Sequence, residues 1–277
     1  MKKTIIGIIA VPFLFVLVFF FVGRYLTSKF IDNNIAYIKG LSSAKLELMD
    51  STQFNALPNS VQNYLKRSIA DFNRTPKMIS FREDGFIRTD EKSKWVNLTA
   101  NHFTSTVEPV FFWDADIKMN SLFGVRALDS YQKGKGNLLV KLFSSLNLSN
   151  ATSEEIDQGS FLRYAIETVA YPSFYLTYKN IEWEEIDQFT AKMRIRDRYN
   201  SGELIFHFTK DYDVDKITCK RYMTTNTGAE LQDYTAKLSK YEMIDGYRVP
   251  TYLEAIWNLP ERDLEVIKME LSGFIFE

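Results

Sequence analysis

The sequence predicts a mainly β (α+β) protein: a large curved antiparallel sheet or open half-barrel with a few packed helices, preceded by one transmembrane helix. Three observations carry this. From Pro76 onward, apolar and polar residues alternate in roughly eleven short runs with turn residues between them. Aromatic residues make up 15% of the chain, with 22 Phe and 15 Tyr, a load that suits strands or an apolar pocket better than disorder. Residues 4–23, TIIGIIAVPFLFVLVFFFVG, carry no charge.

The uncharged run is 20 residues long. At about 1.5 Å per residue it spans roughly 30 Å, the thickness of a hydrocarbon core. Pro12 interrupts it, which membrane helices tolerate. The competing reading is a cleaved signal peptide, which has a shorter apolar region and small residues at the cleavage site. VGRYLTSKF follows instead, so residues 1–24 are expected to be an uncleaved anchor. Lys2 and Lys3 before the run nearly balance Arg24, Lys29 and Lys39 after it, so the charge count alone does not orient the chain. A short tail before the run and a long domain after it favour a signal-anchor in the inner (cytoplasmic) membrane, with the domain extracytoplasmic.

Residues 25–56 are expected to form a juxtamembrane helix, with Ile31, Ile35, Ile38 and Leu41 on neighbouring turns, and then a polar linker, DSTQFNA. Residues 57–277 form the β-rich domain. It opens with LPNSVQNYLKRSIADF, where Pro58 suits a helix start and Val61, Tyr64, Leu65 and Ile69 share one face. The strand runs then begin, with Gly85 in MISFREDGFIR marking a bulge or turn. The clearest run is VFFWDADIKMN, in which Phe111, Trp113, Ala115, Ile117 and Met119 alternate with Phe112, Asp114, Asp116 and Lys118. The helical stretch EEIDQGSFLRYAIETVAYP interrupts the strands, and a further series follows from IEWEEID to EVIKMELSGFIF. Short antiparallel connections of this kind build a curved sheet or an open barrel.

Composition narrows the chemistry. The net charge of -1 gives no electrostatic footprint for nucleic acid. The single cysteine, Cys219, allows no internal disulfide and no multi-cysteine zinc site. His102 and His207 lie on different strands and are read as ordinary strand residues, so neither a metal nor a cofactor is expected. KGKGN at 133–137 lacks the strand–loop–helix setting of a phosphate loop and is read as a hairpin turn. Lys192, Arg194, Arg196 and Arg198 alternate onto one strand face, a solvated face or a surface for anionic lipid.

In EEIDQGSFLRYAIETVAYP, Asp157 can cap the helix start and Arg163 can pair with Glu167 four residues on. Phe161, Leu162, Ala165, Ile166 and Val169 supply apolar cover for a sheet. The alternative makes Asp157, Gln158 and Arg163 a polar cluster at a cavity mouth, holding a ligand headgroup.

Several stretches together resemble a bacterial family of membrane-tethered proteins of unknown function: LPNSVQNYLKRS (57–68), EPVFFWDADI (108–117), DSYQKGKG (129–136), the 154–172 helix and YEMIDGYRVPTYLEAIW (241–257). More remotely, EPVFFWDAD and DGYRVPT are similar to elements of lipoprotein-carrier (LolA-like) half-barrels. That resemblance implies a curved sheet wrapped around helices, with an apolar cavity for acyl chains. The expected function is therefore binding, without catalysis, of a membrane lipid or hydrophobic small molecule at the cell envelope. Phe111, Trp113, Ile117 and Trp257 would line the site, with Asp157, Gln158 and Arg163 at its mouth. A structural module that binds another envelope protein, and an uncharacterised hydrolase, are the alternatives.

Overall fold

The structure, a computed structural model, describes residues 2–120, 123–225 and 228–277, with side chains from residue 14 onward. Pro12 and the first ten residues of the uncharged run thus lie outside the described side chains. Helix α1 runs from Lys2 to Leu41, followed by α2 (Ser51–Asn55) and α3 (Asn59–Ser68). Six strands come next: β1 (Met78–Ile87), β2 (Val96–Ser105), β3 (Val110–Lys118), β4 (Gly124–Gln132), β5 (Lys135–Leu142) and β6 (Leu146–Ala151). Helix α4 (Glu154–Glu167), a 3-10 turn (Thr168–Ala170) and α5 (Phe174–Thr177) form the middle of the chain. Seven strands complete it: β7 (Ile181–Asp187), β8 (Thr190–Arg196), β9 (Ser201–Phe208), β10 (Val214–Thr225), β11 (Gly228–Ile244), β12 (Tyr247–Leu259) and β13 (Arg262–Phe276).

All thirteen described strands join one curled antiparallel half-barrel, in the order β6-β5-β4-β3-β2-β1-β13-β12-β11-β10-β9-β8-β7. The chain starts at the centre of the sheet, meanders to one edge, and crosses the concave face through α4 and α5. It then meanders back from the other edge until β13 closes on β1. Each step is a hairpin, so only the helical crossing has to span the sheet. Gly85 is not a turn. It sits inside β1 opposite Leu98 and Met269, and a Cβ there would lie 1.9 Å from the Lys268 carbonyl oxygen, so glycine is the residue that admits this close pairing. The register shift in β1 falls between Ser80 and Arg82 instead.

The concave face holds the main core. Val61, Tyr64, Leu65 and Ile69 of the α3 segment are buried there, as are Phe161, Tyr164, Ala165, Tyr171, Phe174 and Tyr175. The stretch expected as a polar linker carries α2, because Asp50 and Gln53 form a reciprocal capping box. Asp157 is not the cap of α4. Ser153 takes that place and accepts from the Ile156 N–H, while Asp157 lies one turn inside the helix.

The other face is covered by α1. Ile31 and Ile38 pack with Met78, Val110, Phe112 and Leu128 on the convex side of the sheet. Leu14–Leu41 is apolar enough to count as a candidate membrane span, with a mean hydropathy of 1.7, yet its C-terminal half is docked on the domain. The docking begins near Phe20. The Ser145 hydroxyl donates to the Phe20 carbonyl at 2.9 Å and the Thr27 hydroxyl to the Ser144 carbonyl at 2.8 Å. It ends where Tyr37 reaches Glu108, at 3.2 Å, and Lys77 donates to the Ser42 carbonyl, at 2.9 Å. Gly23 makes the first contact possible, since a Cβ there would stand 2.7 Å from the Ser145 Cβ.

Gly23→Val is therefore expected to lift α1 from the 143–145 turn at a cost of about 1–3 kcal/mol. Amide hydrogen exchange of detergent-solubilised protein checks this: residues 143–148 should exchange faster, while the strands on the concave core keep their protection.

Candidate functional site

The sheet encloses a cavity of about 770 Å³ between α4 and the strands from β1 to β5 and β10 to β13. Its walls are small and medium apolar side chains, among them Ile117, Val125, Val140, Leu253, Ile267 and Met269. Alternation along each strand puts these on the concave face. Arg163, Ile166 and Glu167, spaced for one helix face, close the cavity from the α4 side.

A buried charged cluster forms part of this closure. The Arg163 Nη1 donates to Asp129 at 2.7 Å and its Nε donates to Glu167 at 2.8 Å. Its guanidinium lies over the rings of Trp113 and Phe111, with centroids at 4.7 and 5.1 Å. Burial works against the Arg163 charge, but Glu167, Asp129 and Glu83 outweigh it and raise its pKa. Burial also raises the pKa of Asp129, against the pull of Arg163.

Behind the cluster stands His102. Phe81, His102 and Trp113 face one another across β1, β2 and β3. The imidazole stacks on Phe81 at 4.6 Å and near Phe111 at 5.7 Å. Its Nδ1 is 3.7 Å from Glu83 and its Nε2 is 3.5 Å from Glu167. The Trp113 Nε1 donates to the other oxygen of Glu83. Burial pushes the Glu83 carboxyl up to about 7 and the His102 imidazole down to about 4.

Glu83, His102 and Glu167 offer donor atoms within 4.8 Å of one another, the one such group found among the described residues. The arrangement does not favour a dication. The two carboxylates address opposite edges of the ring, and Arg163 already supplies positive charge to Glu167. At these distances neither contact is a hydrogen bond, and both ring nitrogens and the Glu167 Oε2 are buried without a hydrogen-bond partner.

The sequence-selected residues separate into distinct places. Trp113, Ile117 and Arg163 line the cavity. Phe111 is buried beneath Arg163. Asp157 faces the β4–β5 hairpin, accepting from the Gly136 N–H and the Lys135 Nζ at 2.8 Å each. Gln158 lines a second cleft with Leu162 and Cys219. Trp257 packs edge-on against Tyr234 at 4.9 Å and near Arg221. Asp157, Gln158 and Arg163 thus do not converge, because they project from different faces of α4. Asp114 is buried and paired in a bidentate manner with Arg126, so it is not a solvated acid. His207 meets Thr218 at 3.3 Å. Within the basic run, Lys192 and Arg194 of β8 reach Glu184, and Arg194 also reaches Glu203, so these two cations are paired with acids.

Sequence reasoning missed Glu83, Asp129 and Glu167 as partners of one site. Glu83 alone left a signal, an acid at the position of β1 whose alternate neighbours Ile79 and Phe81 face the core.

A family model described as a family of unknown function (DUF6544) matches residues 47–269. Among solved structures, the chain is similar to a LolA superfamily protein from Nitrosomonas europaea, at 13% identity over 78% of this chain and 93% of that one, with a TM-score of 0.39. It is also similar to a DUF1329 family protein from Desulfovibrio piger, at 11% identity over 79% of this chain and 92% of that one, with a TM-score of 0.44. No curated protein matches.

The two buried titrations oppose each other. From about pH 4.5 to 7 the folded state holds the Glu83 proton that the unfolded chain releases, so this group's stability is lost as pH rises. From about pH 4 to 6.5 the unfolded chain holds a proton that buried His102 refuses, so that contribution is gained as pH rises. Glu83→Gln should leave a stability that climbs between pH 5 and 6.5, and His102→Gln one that falls, each by on the order of 1–2 kcal/mol. Urea midpoints at the two pH values measure both slopes. Separately, Arg163→Met leaves Asp129 and Glu167 buried without their cation, and should lower stability by about 3–5 kcal/mol at pH 7, read from the same midpoints.

Proposed function

We propose that this chain, which belongs to the DUF6544 family of unknown function, is a membrane-anchored envelope protein that binds a hydrophobic or lipid-like molecule in its half-barrel. The observation that carries the reading is the cavity of about 770 Å³ with aliphatic walls. That volume lies within the roughly 300–1,000 Å³ range of small-molecule sites. Burying an acyl chain there gains about 0.8 kcal/mol per methylene, so binding needs no reactive group. Helix α1 is long and apolar enough to cross a membrane; in this reading it tethers the domain to the inner membrane, with the domain on the extracytoplasmic side.

The charges on the α4 side of the cavity are already paired with one another, so they offer little to a ligand headgroup. Arg88, Ser93 and Lys94 stand at the hairpin end of the cavity. A ligand would lay its chain against Ile117, Val140 and Ile267 and keep its polar end near these three. Binding ranks above catalysis because His102 is fully buried and does not line the cavity. It ranks above a purely structural role because the concave face is only partly filled by the protein's own side chains.

Val125→Trp and Val140→Trp each fill the cavity from its wall. Both variants are expected to fold with an unchanged far-ultraviolet spectrum and to lose at least tenfold in affinity for a fluorescent fatty acid. Native mass spectrometry of the unmodified protein should show co-purified lipid. Neither lipid nor fatty-acid uptake in the unmodified protein would overturn the reading.

A further inference from the structure

The hairpin tips beside the cavity mouth form an exposed apolar surface at the level where α1 leaves the domain. Phe143 and Leu146 belong to the β5–β6 turn and the start of β6, Leu148 follows on β6, and Met119 and Phe123 flank the β3–β4 turn. All five are exposed. Three of the rings connect: Phe123 and Phe143 are 5.9 Å apart, and Phe143 in turn lies 6.0 Å from Phe20 of α1. The Ser145 hydroxyl holds the turn to the Phe20 carbonyl, and Gly23 lets the two backbones meet.

This fixes a depth. The uncharged run ends at Gly23 and Arg24 follows, so Phe20 lies one helical turn inside the end of the apolar run. A turn fastened at Phe20 is carried to the same depth, about 5 Å inside the hydrocarbon boundary, the range in which amphipathic elements insert. The rest of α1 cannot continue into the bilayer, because from Thr27 to Leu41 it lies along the sheet. Met119 belongs both to this surface and to the cavity lining.

We propose that the β5–β6 turn, with Met119 and Phe123 beside it, inserts into the bilayer next to α1, so that the cavity opens directly onto the membrane surface. The occupant of this patch is lipid, since the patch is continuous with an apolar helix at the same level. The inference rests on α1 being a membrane anchor, but not on any ligand being bound. It gives a route by which an apolar chain passes between bilayer and cavity without crossing water.

The test uses the full chain with Cys219→Ser and one new cysteine at a time: Leu17→Cys in α1, Phe143→Cys and Leu148→Cys on the patch, and Met243→Cys, exposed at the other end of the sheet next to the β11–β12 turn. Each is labelled with bimane and reconstituted in phosphatidylcholine–phosphatidylglycerol nanodiscs whose acyl chains carry bromine. Quenching at 17, 143 and 148, with none at 243, is the expected result. Quenching at 17 alone overturns the insertion while leaving the anchor in place. No quenching at 17 removes the anchor reading and the insertion with it. Excimer emission between pyrene labels at 148, in place of quenching, would assign the patch to a second copy of the chain and also overturn the proposal.

Discussion

The hollow in this half-barrel depends on one buried guanidinium. Arg163 stands between α4 and the sheet, stacked on Trp113 and Phe111 and paired with Asp129 from β4 and Glu167 from its own helix. Toward the N-terminal side, α4 meets the strands through Phe161 and Leu162, both buried in the core. At Arg163 the side chain is long and charged, and both of its partners must also be accommodated. Buried ion pairs contribute little net stability, since desolvation offsets most of their attraction. This one fills the space between helix and sheet with a long side chain and its two partners.

The sheet around that spacer was legible in the sequence wherever one face is buried and the other is not. VFFWDADIKMN announced β3 because Trp113, Ala115 and Ile117 face inward while Asp116 and Lys118 face out. Strand β6, LNLSNA, gave no such signal, since it is an edge strand with nearly every residue exposed. The assembly of Glu83 and Glu167 around His102, with Asp129 on the neighbouring Arg163, was not legible. Those residues come from β4, α4, β1 and β2, and only sheet curvature together with the helical crossing brings them together. A residue such as Asp157 shows the reverse problem. Its composition and place fitted a cap or a headgroup contact, yet it secures the β4–β5 hairpin through Gly136.

Helix α1 was legible as an apolar stretch, but the partner of its C-terminal half was not. The stripe Ile31, Ile35, Ile38 and Leu41 gives a helix face that needs cover, and the convex residues Val110, Phe112 and Leu128 give a sheet face that needs the same. In β3 the alternation therefore separates two apolar environments as well as inside from outside. Phe112 is as buried as Phe111, one beneath α1 and the other beneath Arg163. A strand covered on both sides reads as a continuous apolar run, which is how PVFFW appears in the sequence.

The two halves of the concave face differ in side-chain volume. Around β8 and β9 the wall carries Phe206, Phe208 and Trp183, which interlock with Tyr64 and Tyr175 from the helices. Around the cavity the corresponding inward positions are Ala127, Val125, Val140, Ala236 and Ala255. A curved sheet of this radius needs large inward side chains or a helix pressed against it to exclude a void. In the second half these small residues share the wall with Trp113 and Tyr234, and Arg163 stands between the helix and the sheet. Small wall residues set the width of the hollow and one charged strut sets its height, so a space for a foreign apolar chain follows from the size of the side chains more than from their hydrophobicity.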